Sequence, residues 1–249
     1  MINHYMHAAL AHERAGTFLT EAQATRQAKQ ARTGRRRRPA RPQSVAEGTP
    51  AVLRDGSAVL IRQVRGSDAP LLADGFARLS ARSRQMRFLS PKHSLSAAEL
   101  RFFTEVDHHD HEANGALSAA DGRGVGIARY IRDSGDPTAA EIAVTIVDDW
   151  QGRGLGTELL ARLSDRARQA GICRFIATVA YGNAAMTGLL QNMGAELAGH
   201  GPGTVDYEVV LNRAGEYSLD WWFRCVDDSP VFSSAERGHG IRLVVPRPD

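Results

Sequence analysis

The chain has 249 residues, 43% of them hydrophobic and 24% charged, with a formal net charge of +3. That suits one large globular domain, or one domain with extensions, and excludes a disordered or collagen-like chain. No apolar run approaches the roughly 18 residues of a membrane-spanning helix, and the start lacks the apolar core of a secretory leader, so a cytoplasmic protein is expected.

Residues 1–50 read as a separate tail. They carry eight Arg and one Lys against three Glu, which leaves the remaining chain mildly acidic. His7 to Ala31 is rich in Ala and Gln with a weak apolar face, enough for a partial helix at most. Arg35 to Arg38 form a self-repelling block for which a flexible, disordered segment is expected. It could contact an acidic partner, but no aromatics interleave with the arginines to stack on bases, so nucleic acid is not expected.

The folded domain is expected over residues 51–211. Ala58 to Val64 reads as its first strand. Ser67 to Ser80 reads as a helix capped by Ser67, with Leu71, Leu72 and Phe76 on one face. Arg82, Arg84 and Arg87 follow at near-helical spacing. Such a run usually means a solvated face, although it could attract an acidic substrate. A second helix spans about Ser96 to Val106. The run Asp107-His108-His109-Asp110-His111-Glu112 looks metal-like, but adjacent ligands on one loop rarely point at one ion. A polar turn is the better reading, and no metal is expected.

Strands follow at Gly115–Ala119, Gly124–Ile131 and, after a turn over residues 133–137, at Ala139–Val147. Leu155, Leu159, Leu160 and Leu163 form the apolar stripe of a long helix. Arg174 to Val179 reads as a buried strand, with Cys173 as a small core residue. Ala184 to Met193 reads as a helix and Val205 to Leu211 as a last strand. Cys173 and Cys225 form no C-x-x-C pair, so neither a disulfide framework nor structural zinc is expected. Residues 212–249 form an extension containing Trp221, Trp222 and Phe223. They either pack on the domain or make a homodimer contact, and both stay open.

The sharpest signal lies between the strand ending at Val147 and the long helix: Gln151-Gly152-Arg153-Gly154-Leu155-Gly156-Thr157. Strand, glycine loop and helix form an anion-binding arrangement, because loop amides and the unpaired N–H groups of the first helical turn converge there. A P-loop fails for want of Lys before Thr157. A dinucleotide fingerprint fails because the third glycine falls one place early and no carboxylate follows near residues 173–181. The remaining pattern, Q-x-x-G-x-G, is matched by Gln151, Gly154 and Gly156.

That pattern resembles the coenzyme A loop of the GNAT N-acetyltransferase superfamily. Glu141 to Gln151 resembles the strand that enters this loop, and Asn183 to Ala195 the helix after the next strand. The resemblance covers about residues 57–211. Residues 79–88, 95–100 and 106–113 are similar to bacterial protein-lysine acetyltransferases of the Pat type. The implied fold is α/β (α+β): a mixed, mostly antiparallel sheet of about six to seven strands flanked by helices.

The implied activity is acetyl transfer from acetyl-CoA, as co-substrate, to a primary amine, with a protein lysine as the first candidate acceptor. A small-molecule amine acceptor and a catalytically weak acetyl-CoA-binding regulatory module stay open. The resemblance implies an oxyanion-stabilising N–H at Val144 and a pantetheine contact at Ile146. It implies a pyrophosphate grip by Gln151, Gly152, Arg153, Gly154, Gly156 and Thr157, and a further contact at Asn183. Glu141 is the candidate general base; strand alternation leaves a solvent-facing Glu141 as the competing reading, and a bulge could turn it inward. Leu190 stands where many members carry a Tyr that protonates the leaving thiolate, and Tyr181 is out of register.

Overall fold

The computed structural model describes residues 48–211; the tail over 1–47 and the extension over 212–249 lie outside the described residues. Thirteen regular elements follow in order: β1 Thr49–Val52, β2 Ala58–Gln63, α1 Ala69–Ala77, α2 Ala81–Phe88, α3 Ala97–Thr104, β3 His111–Ser118, β4 Gly124–Arg132, β5 Ala139–Ile146, α4 Leu155–Gln169, β6 Arg174–Ala180, α5 Ala184–Gln191, β7 Glu196–Gly201 and β8 Thr204–Val210. The strands form one eight-stranded sheet in the order β1-β2-β3-β4-β5-β6-β8-β7. Every neighbouring pair is antiparallel except β5 with β6, which is parallel. This is the mixed, mostly antiparallel sheet expected, with one or two strands more than the six to seven expected; β1 and β7, at its edges, are the two that the sequence reading did not place. Pro50 in β1 and two glycines in β7 hide those edge strands from a propensity reading.

The helix expected from Ser67 starts differently. Pro70 suits the first turn of a helix, so α1 begins at Ala69 after a short 3-10 turn over Gly66–Asp68. Asp68 there receives a two-pronged bond from Arg62, at 2.6 and 2.7 Å, and the amide of Arg65 at 2.8 Å. The arginine-rich stretch forms α2, whose cap Ser80 accepts the Ser83 amide. In α3, Ser96 and Glu99 form a reciprocal capping box.

Helix α4 lays its leucine stripe on β3, β4 and β5, where Leu155, Leu159, Leu160 and Leu163 are at most 1% exposed. They join Val59, Ala128, Tyr130, Ile142 and Phe175 in the main core. A second cluster of Phe76, Leu79, Phe88 and Phe103 lies among α1, α2 and α3 on the opposite face. Cys173 is buried just before β6. Among the described residues no helix is long and apolar enough to cross a membrane.

Candidate active site

The site begins where the sheet splits. β5 and β6 pair only at Ala139–Arg174, Ala140–Phe175 and Glu141–Ile176. Beyond Glu141, β5 stays with β4 while β6 stays with β8, and a wedge opens between them. The orientation of the β5 backbone follows from its ends. Val147 donates its N–H to Val125 on the β4 side, and Ala139 accepts there from Asp133. Odd-numbered residues between them therefore bond toward β4, and the N–H groups of Val144 and Ile146 point into the wedge. The Ile146 carbonyl does so too, since Gln151 Nε2 reaches it at 3.1 Å.

The wedge leads into a cleft of about 870 Å³ that Gln151, Gly152, Gly154, Gly156, Thr157 and Asn183 help to line. Gly154 is the N-cap of α4, with φ of 89° and no side-chain capping bond. The first backbone amide of the helix to find an acceptor is Glu158, on the Gly154 carbonyl at 3.2 Å. The amides of Leu155, Gly156 and Thr157 precede it and face the cleft at the positive end of the helix. A side chain on Gly156 would put its first carbon 3.2 Å from Leu189. At Gly154 it would stand 3.2–3.3 Å from the Arg54 side chain. Arg54 also lines the cleft, a cation that pattern reading passed over.

The remaining loop residues divide into ligand-facing and architectural. Gln151 ties the end of β5 to Asp148, which accepts the Ser80 amide and the Ser83 hydroxyl at the start of α2. Arg153 turns its guanidinium to Asp55 and Ser57 at 3.0 and 3.1 Å and over the Trp150 ring. Its carbonyl accepts the Arg54 amide at 3.1 Å, and unlike its loop neighbours Arg153 does not line the cleft. Asn183 caps α5, its Oδ1 accepting the Met186 amide at 3.2 Å.

Glu141 is the last residue before the split and lines the cleft. It is 7% exposed, so the solvent-facing reading does not hold. No bulge turns it: β4 and β5 stay in unbroken register from Gly126–Ile146 to Arg132–Ala140. Alternation sends Glu141, Ala143 and Thr145 to the α1–α3 face, with Ile127 and Arg129 of β4. Arg87 of α2 lies close enough for its charge to couple to Glu141. Burial pulls the Arg87 guanidinium down to about 10, and Glu141 opposes that shift.

Arg129 is 2% exposed and lies over the Phe103 ring at 4.5 Å. It donates to the Phe103 carbonyl at 3.2 Å and to His111 Nε2 at 3.1 Å, which fixes His111 as a neutral acceptor. Burial, then the charge of Arg87, brings Arg129 down to about 9. Burial, then Arg129, brings His111 down to about 3.

The His- and Asp-rich run is a structural turn. Asp107 accepts the amides of His109, Asp110 and His111. Glu112 is fully buried and receives Gln63 at 2.8 Å and Arg166 of α4 at 3.0 Å, with His108 Nδ1 at 2.8 Å. Its face is that of α4, opposite Glu141. Leu190 is wholly buried in the main core. Tyr181 is 54% exposed with its hydroxyl on His200, away from the cleft lining. Arg84 lies over Phe76 and donates to the carbonyls of Ala77 and His93, while Arg82 lines the cleft. Only part of that arginine run is therefore a solvated face.

An acetyltransferase (GNAT) domain pattern matches residues 58–196. The chain is 32% identical over 160 residues to acetyltransferase Pat of Mycolicibacterium smegmatis, covering 64% of this chain and 48% of that protein. It thus spans about half the length of that relative. To acetyltransferase PA5475 of Pseudomonas aeruginosa it is 37% identical over 144 residues, covering 57% of this chain and 77% of the other. The crystal structure of the GNAT domain of S. lividans PAT superposes with a TM-score of 0.62 at 29% identity, covering 67% of this chain and 98% of that one. A split sheet, an uncapped glycine loop and a domain match across more than half of its residues together mean that this chain belongs to the GNAT acetyltransferase family.

Proposed function

We propose that this protein transfers an acetyl group from acetyl-CoA to a primary amine. The observation that carries the reading is the wedge: two strand amides with no strand partner among the described residues, a helix start without a side-chain cap and a buried carboxylate meet along one cleft. The residues present suit the coenzyme. The amides around Gly154 and Gly156 and the Arg54 cation suit a pyrophosphate, and the Val144 and Ile146 edge suits an extended amide-bearing arm. When bound, acetyl-CoA supplies the acetyl group as a thioester.

The chain's own residues then have distinct tasks. The Val144 N–H, held by β5, is the donor for the oxygen on which charge develops. Glu141 takes the proton that an ammonium must lose before attack, since a lysine amine has a reference pKa near 10.4. Leu190 is sealed in the core and Tyr181 lies off the cleft. Departure of the thiol therefore rests on its own acidity, with a reference pKa near 8.5.

Likeness to Pat acetyltransferases supports a protein lysine as acceptor. A second reading, a small amine, is favoured by the buried Arg87 and Arg129 beside Glu141. Leu190 in place of a phenol also fits a weakly catalytic acetyl-CoA-binding module, which turnover measurements would separate from an enzyme. Calorimetry is expected to give binding of acetyl-CoA and none of NAD or ATP; the reverse order would sink the proposal. Glu141→Gln is expected to lower turnover by about 10²–10⁴-fold with little change in acetyl-CoA affinity. Unchanged turnover at saturating acceptor would remove Glu141 as the base.

A further inference from the structure

Beside the wedge, on the α1–α3 face of the sheet, lies a second cavity of about 100 Å³. Its wall is mostly apolar, including Leu72, Phe76, Leu79, Leu95, Phe103 and Ile127. Arg87, Ala143 and Thr145 line both this cavity and the coenzyme cleft, so the two spaces meet along β5 just past Glu141, which itself lines only the cleft. Arg129 also lines the cavity. It pairs across the strands with Ala143, one diagonal step from Glu141, within reach of a long side chain.

The charges around this space do not balance. Arg87 has Glu141 near it. Arg129 is buried against an aromatic ring, a carbonyl and a neutral imidazole, and among the described residues no carboxylate lies within salt-bridge distance of it. A buried guanidinium is normally paired with an anion, because leaving the charge uncompensated in an apolar setting is costly. Arg62 and Asp68 also line the cavity, but as a matched pair. With that pair set aside, two cations stand beside one carboxylate, Glu141, and among the described residues the pocket has one anion too few.

We propose that the acceptor supplies the missing anion: it is a small amine bearing a carboxylate and an apolar body, the chemistry of an apolar amino acid, with its carboxylate on Arg129 and Arg87. The apolar wall takes the side chain. At about 100 Å³ the cavity is smaller than the roughly 150 Å³ that admits benzene, which suits a short aliphatic group. The amine is then left toward Glu141 and the Val144 N–H. This assignment rests on the acetyl-transfer reading and narrows its acceptor. A lysine side chain on a protein brings no carboxylate so near its own amine.

The test uses the full chain with acetyl-CoA and three matched acceptors: L-leucine, L-leucinamide and 3-methylbutylamine, alongside a lysine-containing peptide. Thiol release is expected to favour L-leucine over its amide in kcat/KM by about 10–100-fold, the range of a hydrogen bond to a charged group. Equal rates for acid and amide, or a peptide preferred over the free amino acid, would overturn the assignment while leaving acetyl transfer intact. If no acceptor releases thiol, calorimetry decides. With coenzyme A present, N-acetyl-L-leucine is expected to bind at least 10-fold more tightly than N-acetyl-L-leucinamide, and equal or absent binding overturns the assignment. Arg129→Met should collapse the acid-to-amide ratio. Since Arg129 also ties α3 to β4, a melting curve accompanies it, and the wild-type comparison stands if that variant does not fold.

Discussion

Replacing Gly154 by Ala tests the coenzyme loop most directly, because the structure separates its two costs. The first is conformational. Gly154 sits at φ 89°, where a side chain costs roughly 1–2 kcal/mol, offset by about 0.4–1 kcal/mol from the stiffer unfolded chain. A net loss of about 1 kcal/mol lowers Tm by only ~2–4 °C in a domain of this size. The second cost falls on the ligand. The new methyl stands 3.2–3.3 Å from Arg54 Cγ, Cδ and Nε, so the flexible Arg54 side chain must give way by a few tenths of an ångström, which weakens or breaks its contact at the helix start. Losing one charged contact to a phosphate is worth about 1.5–3 kcal/mol, or roughly 10–150-fold in Kd. Isothermal titration with acetyl-CoA, beside a thermal melt, reads both costs. Arg54→Ala should weaken binding with no loss of Tm, and the double variant should lose less than the sum of the two. Wild-type affinity in Gly154→Ala, together with the small fall in Tm, would show that the coenzyme does not lie on this loop.

Two further predictions concern groups of the His- and Asp-rich run. His111 titrates near 3 in the folded protein against 6.5 for an ordinary histidine, so between those values the unfolded chain holds more protons. Stability therefore rises with pH through that window and falls as pH drops below 6.5, by about 2 kcal/mol at pH 5 from this residue alone. His111→Gln keeps an acceptor for Arg129 but cannot titrate. Urea unfolding at pH 7.5 and pH 5 should show a smaller pH effect in the variant, and an equal effect would refute the assignment. Glu112→Ala strips Gln63 and Arg166 of a fully buried partner and should cost about 3 kcal/mol, near the low end for a broken buried pair because Arg166 keeps some water. The melt should show it, while the pH dependence of turnover stays as in wild type; a changed pH profile would refute the purely structural role of Glu112.

The strand–loop–helix unit was legible because each part carries its own physical signature. β-Branched residues mark β5, glycines mark the turn and a leucine stripe marks α4. Glu141 was legible by position but not by orientation, since alternation gives the parity of a strand and not which face is buried. The wedge itself could not be read. That β5 and β6 part after three residue pairs depends on how two distant segments sit, which no local pattern encodes. Arg129 was not singled out, and Arg87 was read only as part of a run that is solvated or attracts an acidic substrate. A charge on a strand or helix carries no sign of what covers it, and only the packing of α2 and α3 onto the sheet reveals the aromatic rings against these guanidinium groups.

The same three residue pairs have a mechanical meaning. They are the sheet's whole hydrogen-bonded seam between a five-stranded leaf, β1 to β5, and a three-stranded leaf of β6, β8 and β7. Past Glu141 each leaf presents an edge to the other, and among the described residues the amides that would knit them have no strand to meet. A ligand threaded along that edge would act as a ninth, non-protein strand, bonding to Val144 and Ile146 and filling the gap. Substrate capture and completion of the sheet would then be a single event, with the stiffness of the assembled fold set in part by a molecule that the reaction later releases.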